Sequence, residues 1–193
     1  MSTPCFSILI PAITERLNQL RTLCEELENQ IAASKQDVEI VSVVDNRKVS
    51  VGRKRQSVLD ASHGHFVAFV DDDDWIMPNY VERITSAIMA NKDLSVVTFN
   101  NISYINQNPP AIVEMRLGNP NEPYRVGGFK RAAWHVCAWN VNVAKHCRFP
   151  DHSYGEDWAW AEQCNALAKT EHHIPEILHV YRHDMTKSRA LKP

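Results

Sequence analysis

Short apolar runs alternate with stretches of helical periodicity along the first half of the chain. The predicted strands, rich in β-branched and aromatic residues, cover 6–10, 38–44, 66–70 and 94–99. The predicted helices between them cover 17–31, about 52–61 and 78–89. Parallel strands need long crossover connections, so this order predicts an α/β fold with a mostly parallel central sheet flanked by helices. Pro11 is expected to end the first strand.

The second half of the chain is less periodic. Prolines and glycines punctuate residues 105–128, which we expect to form loops and edge strands. A helix is predicted at 157–168 and a short strand at 177–181. A length of 193 residues favours a single domain over 1–193.

Composition and charge exclude few functions. The formal net charge of −2 gives no overall reason to expect binding to nucleic acid or to a membrane surface. No run of about 18 apolar residues occurs, so no membrane span is expected. The five cysteines are scattered and include no C-x-x-C pair, which favours reduced thiols and a cytoplasmic location, the host cytoplasm if the source is viral.

Four consecutive aspartates, Asp71 to Asp74, directly follow the predicted strand at 66–70. In an open parallel sheet, ligands bind at the carboxyl ends of the strands. Adjacent carboxylates raise each other's pKa values unless a cation or hydrogen bonds compensate, and Mn²⁺ or Mg²⁺ with a substrate diphosphate would supply that compensation. The alternative interpretation is a solvated acidic turn that also favours the start of the next helix.

The segment 69–75, Phe-Val-Asp-Asp-Asp-Asp-Trp, resembles the D-x-D segment of family 2 glycosyltransferases. The preceding stretch from Gly52 to Gly64 is similar to that family's run from a glycine through basic residues to a small-residue turn. The resemblance implies a GT-A fold, the fold of nucleotide-diphospho-sugar transferases. It also implies that residues 1–104 bind the nucleotide sugar and that residues 105–193 carry the acceptor and catalytic part.

The resemblance further implies a set of site residues. The expected metal ligands are Asp71, Asp73, Asp74 and His183. The nucleotide sugar, for which a UDP-sugar is the leading expectation, is expected to contact Pro11, Asp45, Arg55, Asp71, Asp72, Asp73 and Arg182. Arg182 and Lys187 would offset the charge of the leaving group. Without the resemblance, His183 would be taken as an ordinary surface or structural histidine.

A second acidic motif, Glu156-Asp157, opens the predicted helix at 157–168. It resembles the family's Glu-Asp motif, in which the aspartate acts as general base, so Asp157 is the expected catalytic residue. Such a base accepts the proton of the acceptor hydroxyl. Taken alone, the pair would only favour a helix N-terminus. The residues expected on the acceptor side are Trp134, His135, Glu156 and Trp158.

Together these motifs predict a metal-dependent enzyme that moves a sugar from a nucleotide-diphosphate sugar to an acceptor hydroxyl, and the family resemblance implies that the transfer inverts the anomeric carbon. The acceptor is either a glycan or a hydroxymethylated base in phage DNA, because the chain also resembles small phage enzymes of that kind. A dense basic patch would suit contacts with DNA phosphates; it consists of Arg47, Lys48, Arg53, Lys54 and Arg55.

Other classes fit less well. A catalytically inactive module that binds a sugar nucleotide or a glycan is the alternative outside the enzymes. A haloacid dehalogenase-type phosphatase is disfavoured, because its nucleophile usually lies near the start of the chain. Neither G-x-G-x-x-G nor a P-loop motif occurs, which disfavours dinucleotide and P-loop functions.

Overall fold

The computed structural model describes residues 3–183. Its strands are β1 (Phe6–Ile13), β2 (Val38–Asp45), β3 (Phe66–Phe69), β4 (Trp75–Ile76), β5 (Val96–Ile105), β6 (Ala111–Arg116), β7 (Gly127–Ala132), β8 (Ala138–Asn140) and β9 (Glu171–His183). Its α-helices are α1 (Leu17–Ser34), α2 (Val51–Ala61), α3 (Tyr80–Ala90), α4 (Val141–Ala144) and α5 (Glu156–Leu167). A short 3₁₀ turn, Thr14–Arg16, joins β1 to α1.

The strands form one mixed sheet, in the order β2-β1-β3-β8-β5-β6-β7, with β9 paired to β5 and β4 paired to β9. The predicted α/β fold is confirmed, and its sheet is mixed: β1 pairs parallel with β2 and β3, β5 pairs parallel with β9, and β6 pairs parallel with β7. The short strand β8 runs antiparallel between β3 and β5, and β6 pairs antiparallel with β5. The short strand β4 also pairs antiparallel, with β9. Strands β4 and β8 have two and three residues, which leaves no alternation to detect, and β6 lies in the segment with many prolines and glycines at 105–128.

The first strand continues through Pro11, contrary to the expectation that it ends there. The carbonyl of Leu9 accepts a hydrogen bond from Val70 N at 3.0 Å, on the β3 side of β1. Pro11, two residues on, faces the same side, but β3 ends at Phe69, and the paired register stops at Leu9. No strand residue pairs with Pro11 on that side, so the sheet loses no hydrogen bond through the missing proline N–H, as is usual where proline is tolerated in strands.

The last described strand, β9, begins at Glu171 and is much longer than the predicted 177–181. It runs parallel to β5 over most of its length, with register shifts around Asn100. Asn100 donates from its side chain to the carbonyl of Pro175 at 3.2 Å, at this irregularity. Because β9 begins with polar residues and contains a proline, the sequence pattern does not indicate a strand before residue 177. Its length carries residues 179–183 alongside β4 and the acidic residues.

Two groups of helices cover the sheet. Helices α1 and α3 pack against each other, whereas α2 packs against β1, β2 and α5. An aromatic cluster lies under α5: Trp160 stacks on Phe149 with ring centroids 4.8 Å apart and meets Phe69 edge-on at 5.6 Å. Phe69 is the last residue of β3, so this cluster fixes α5 relative to the end of that strand. None of the helices within residues 3–183 is long and apolar enough to cross a bilayer.

Candidate active site

The four aspartates at the end of β3 form a tight turn, closed by a hydrogen bond from Asp74 N to the carbonyl of Asp71 at 3.0 Å. We call Asp71–Asp74 the acidic turn. Its side chains point to different partners, so the turn is the meeting point of several elements rather than a uniformly solvated acidic segment.

Arg16, from the 3₁₀ turn after β1, grips two members of the acidic turn. Its two terminal nitrogens lie 2.8 Å from Asp72 and 2.8 Å from Asp73. Asp72 is buried and also accepts a hydrogen bond from Ile13 N at 2.9 Å. Asp72 therefore anchors the end of β1, while the side chain of Asp73 remains 39% exposed.

Arg55, on α2, lies beneath the turn and is buried. Its guanidinium contacts Asp71 through two nitrogens, each 2.9 Å from a carboxylate oxygen, and its Nε lies 3.2 Å from Glu156. Burial by itself raises the pKa of Asp71, but the charge of Arg55 outweighs it and lowers the pKa to about 2. Burial also raises the pKa of Glu156, against the effect of Arg55. Arg55 thus joins the acidic turn to the first turn of α5.

Asp74 ties the acidic turn to the end of β9. It accepts a hydrogen bond from Arg182 N at 3.2 Å, and its other oxygen lies 3.4 Å from Nε2 of His179. Both Asp74 and His179 are buried. Burial raises the pKa of Asp74, and the contact with His179 opposes that shift.

The two acidic motifs meet across His135, a buried residue between Trp134 and β8. Its Nε2 lies 3.9 Å from Asp71, and its Nδ1 lies 3.6 Å from Asp157. Asp157 sits in the first turn of α5 and accepts a hydrogen bond from Trp158 N at 2.8 Å. Burial, with the charge of Arg55, lowers the pKa of His135 to about 4. The structure therefore brings the acidic turn and Asp157 to one place.

The loop that leads into α5 is fixed by the start of α2. Gly52 N donates to the carbonyl of His152 at 3.0 Å, and Val51 N donates to Ser153 Oγ at 3.2 Å. A Cβ on Gly52 would lie 1.9 Å from the carbonyl oxygen of Pro150. Only glycine allows this close approach, which sets the position of the Glu156-Asp157 motif.

The residues expected at the nucleotide-binding end are partly engaged with one another. Asp45 is 2.9 Å from Nζ of Lys54, which also donates to the carbonyl of Ala12 at 3.1 Å. Lys54 and Arg55 are both buried, so they cannot be part of an exposed basic patch for DNA phosphates. Their burial was not visible in the sequence, because their contacts with Asp45, Asp71 and Glu156 are formed only in the folded chain. Pro11 is buried within β1.

An aromatic wall stands beside Asp157. Trp134 and Trp158 meet edge to face with ring centroids 5.3 Å apart, and the guanidinium of Arg131 lies 5.8 Å from the Trp134 ring. Trp158 is half-buried, whereas Trp160 is fully buried in the core. Glu156, expected near the acceptor, is instead buried against Arg55.

A cleft of about 310 Å³ opens beside the acidic turn. It is lined by Asn18, Gln19, Thr22, Asp72, Asp73, Asp74, Trp75 and Arg182. The sequence reasoning missed Arg16, the first turn of α1 and His179 as neighbours of the turn. No local pattern signals them, since each reaches the turn from a distant element.

His183, the expected histidine ligand of the metal, contacts an aromatic side chain. His183 is half-buried and stacks on Tyr181, with ring centroids 5.9 Å apart. Lys187 lies outside the described residues. Within residues 3–183, no three His, Cys, Asp or Glu side chains stand together in an arrangement ready to hold a metal ion.

The half-exposed Asp73 carries a charge that its ion pair with Arg16 offsets only in part. Burial first, and then the charge of Asp71, raise its pKa from 3.8 to about 7, although the shared Arg16 opposes the shift. A carboxyl group whose folded pKa is raised binds more protons in the folded state, so stability falls as pH rises from about 4 to 7.

We expect Asp73→Asn to abolish this fall and to stabilise the metal-free protein at pH 7.5. The gain is about 1 kcal/mol after allowance for solvent screening, or about 2–4 °C in Tm. Thermal unfolding in chelator at several pH values measures it, with the exposed Asp93→Asn as matched control. A variant no more stable than wild type at pH 7.5 would contradict the assigned charge imbalance.

Residues 46–139 match the sequence model of glycosyl transferase family 2. This region contains Arg55, the acidic turn and His135, and it ends before Asp157. EpsH of Bacillus subtilis (strain 168), a protein named as a glycosyltransferase, is 31% identical over 120 residues, covering 51% of this chain and 35% of EpsH.

Solved structures share the fold. The crystal structure of S. aureus TarS 1-349 superposes with a TM-score of 0.64 at 14% identity, covering 92% of this chain and 60% of that chain. Its complex with UDP-GlcNAc gives a TM-score of 0.64 at 15% identity, covering 92% of this chain and 58% of that one. The chain thus spans about a third of EpsH and well under two thirds of TarS 1-349. The α/β fold with its mixed sheet is the GT-A fold.

Proposed function

Since residues 46–139 match the sequence model of glycosyl transferase family 2 and the fold is GT-A, we propose that this chain is a metal-dependent, inverting glycosyltransferase. It moves a sugar from a nucleotide-diphosphate sugar, for which a UDP-sugar is the first candidate, to an acceptor hydroxyl. The crystal structures of TarS with UDP-GlcNAc and with UDP support that choice of donor.

One observation carries the proposal. The acidic turn and Asp157 lie on either side of the same buried histidine, with nitrogen–oxygen distances of 3.9 and 3.6 Å. Glycosyl transfer needs a charged group for the donor diphosphate and a proton acceptor for the incoming hydroxyl, close to one anomeric carbon. The acidic turn and Asp157 supply these two groups from opposite sides of a shared site.

The acidic turn suits a divalent cation because it carries excess negative charge and has one partly exposed carboxylate. The raised pKa of Asp73 reports excess negative charge, and its side chain is partly exposed on the cleft. Asp73 would therefore hold the metal first, with the other positions left to water and the diphosphate, as Mg²⁺ often prefers. Asp71 and Asp74 would join only by loosening their contacts with Arg55 and His179, and His183 only by turning from Tyr181. A bound divalent ion would neutralise the departing diphosphate.

The chain's own residues perform the remaining steps. Oδ2 of Asp157 accepts the proton of the acceptor hydroxyl. The acceptor oxygen attacks the anomeric carbon from the face opposite the diphosphate, the bond from that carbon to the diphosphate breaks, and the configuration of the carbon is inverted. Arg182, exposed at the end of β9 on the rim of the cleft, offsets charge on the leaving group. The wall of Trp134 and Trp158 offers the aromatic surface on which a sugar acceptor can stack. Glu156 holds Arg55 rather than the acceptor.

We favour a glycan acceptor over DNA. The basic patch expected to contact DNA loses Lys54 and Arg55 to buried ion pairs, and Arg47 pairs with Glu15 at 3.1 Å. The aromatic wall beside Asp157 remains available. Transfer of labelled sugar to hydroxymethylated DNA but not to oligosaccharides would reverse this preference.

A thermal-shift panel of nucleotide sugars tests the donor and the metal together. We expect the wild-type Tm to rise with a UDP-sugar and Mn²⁺ and to fall back when chelator is added, because a ligand stabilises the folded state that it binds. Asp73→Asn should lose the metal-dependent part of this shift, whereas Asp93→Asn should keep it. If Asp73→Asn binds Mn²⁺ and UDP as tightly as wild type, the metal site lies elsewhere.

The alternative of an inactive binding module makes a different prediction. It would give the same donor-dependent shift but no transfer to any acceptor in a broad panel. The presence of both acidic motifs in one site favours the enzyme.

A further inference from the structure

His135 is a buried imidazole with two charged neighbours and no hydrogen bond to either. The residue is 6% exposed, and neither ring nitrogen has a hydrogen-bond partner among the described residues. A buried polar group without a partner is costly, so native structures rarely leave one without a functional reason. The distances of 3.6 and 3.9 Å to Asp157 and Asp71 are slightly too long for hydrogen bonds.

The position of His135 is rigidly set. Its carbonyl accepts a hydrogen bond from Phe69 N at 3.1 Å, which joins residue 135 to the end of β3. Its ring packs against Phe69 at 6.3 Å and against Trp134 at 6.2 Å between centroids. The imidazole therefore stays in place while the more exposed groups around it adjust to a substrate.

The two carboxylates beside the ring differ in their need for a donor. The Asp71 oxygen that faces Nε2 of His135 is Oδ2, which already accepts a hydrogen bond from Arg55 at 2.9 Å. Asp157 has a backbone donor on Oδ1 only, and the described contacts of its Oδ2 are confined to Nδ1 of His135. The unmet demand is therefore on the Nδ1 side of the ring.

We propose that His135 is a positioning residue, whose Nδ1–H donates to Oδ2 of Asp157 and fixes the direction in which that carboxylate faces the acceptor hydroxyl. The inference rests on the proposed function, in which Asp157 is the base. It requires the pair to close by several tenths of an ångström when substrate binds, a tightening that is common for catalytic hydrogen bonds. It holds whether or not Nε2 also carries a proton.

Two amide substitutions distinguish the two ring nitrogens. The side-chain nitrogen of asparagine can replace Nδ1, whereas that of glutamine lies closer to the position of Nε2. With a working donor and acceptor, His135→Asn should keep kcat within about tenfold of wild type, and His135→Gln should lose about 10–100-fold. Donor affinity and the acceptor KM should change little in both variants. The exposed His172→Asn, at the far end of β9, is the matched control and should be unaffected.

A second measurement is independent of turnover. Nitrogen-15 NMR of the histidine rings, with the His135 signals assigned by their loss in His135→Asn, reports which nitrogen carries the proton. A protonated Nδ1 supports the proposal, and a bare Nδ1 overturns it. Equal kcat values for the Asn and Gln variants would also overturn it. Absence of transfer by the wild-type protein would instead refute the proposed function, and the NMR result would still decide the hydrogen bond.

Discussion

Asp157→Asn should lower the rate of sugar transfer by about 100-fold or more, the usual scale for loss of a general base, while donor binding stays close to normal. Asparagine has the shape of aspartate and can still accept the hydrogen bond from Trp158 N at 2.8 Å, so the first turn of α5 is preserved. What is lost is the carboxylate that takes the proton. The acidic turn, which we propose binds the donor, is not altered.

Single-turnover kinetics with saturating donor measure the chemical step, and a thermal-shift titration measures donor binding. Glu162→Gln is the matched control, because Glu162 is an exposed acid on the same helix. Turnover close to wild type would remove Asp157 as the base. Loss of donor binding with the rate would instead place Asp157 on the donor side of the site.

Much of the first half of the fold could be predicted because its signals are local. The runs that became β1, β2 and β3 are short and β-branched, and α1 and α2 show helical spacing between them. The candidate site could be predicted at this position for the same reason, since the acidic turn directly follows a buried strand.

The second half could not be predicted in this way because tertiary contacts override local pattern there. Strand β8 has three residues and is defined by its neighbours β3 and β5. Strand β9 begins with polar residues and continues past Pro175 because β5 provides a template for it.

The residues that contact the acidic turn could not be predicted, because they lie far from it in the sequence. Arg16 is 56 residues from Asp72, and Arg182 is 108 residues from Asp74. Arg53 and Arg55 look equivalent in the sequence, yet one is exposed and the other is buried. Only the fold shows that Arg55 has carboxylates on two sides.

That difference between neighbouring arginines predicts a large effect on stability. Arg55→Gln should lower the free energy of unfolding by about 3–5 kcal/mol, because it leaves Asp71 and Glu156 buried without their cation. Arg53→Gln, on the exposed side of the same helix, should change it by no more than about 0.5 kcal/mol. Urea unfolding at neutral pH measures both. Lysine at position 55 should rescue little, since one ammonium cannot reproduce the forked contacts of a guanidinium.

The stability lost in Arg55→Gln should depend on pH and on Glu156. The pKa of Asp71 is lowered to about 2 in the folded protein. The resulting stabilisation is fully present at pH values above the ordinary aspartate pKa and is lost as pH falls toward 2. Arg55→Gln lacks this contribution, so its deficit should narrow below about pH 4. Adding Glu156→Gln should recover part of the loss, because it removes one of the two stranded charges and gives a coupling energy in a double-mutant cycle. A loss that is no larger than that of Arg53→Gln, or that does not change with pH, would mean that the ion pairs beneath the acidic turn do not hold α2 and α5 together.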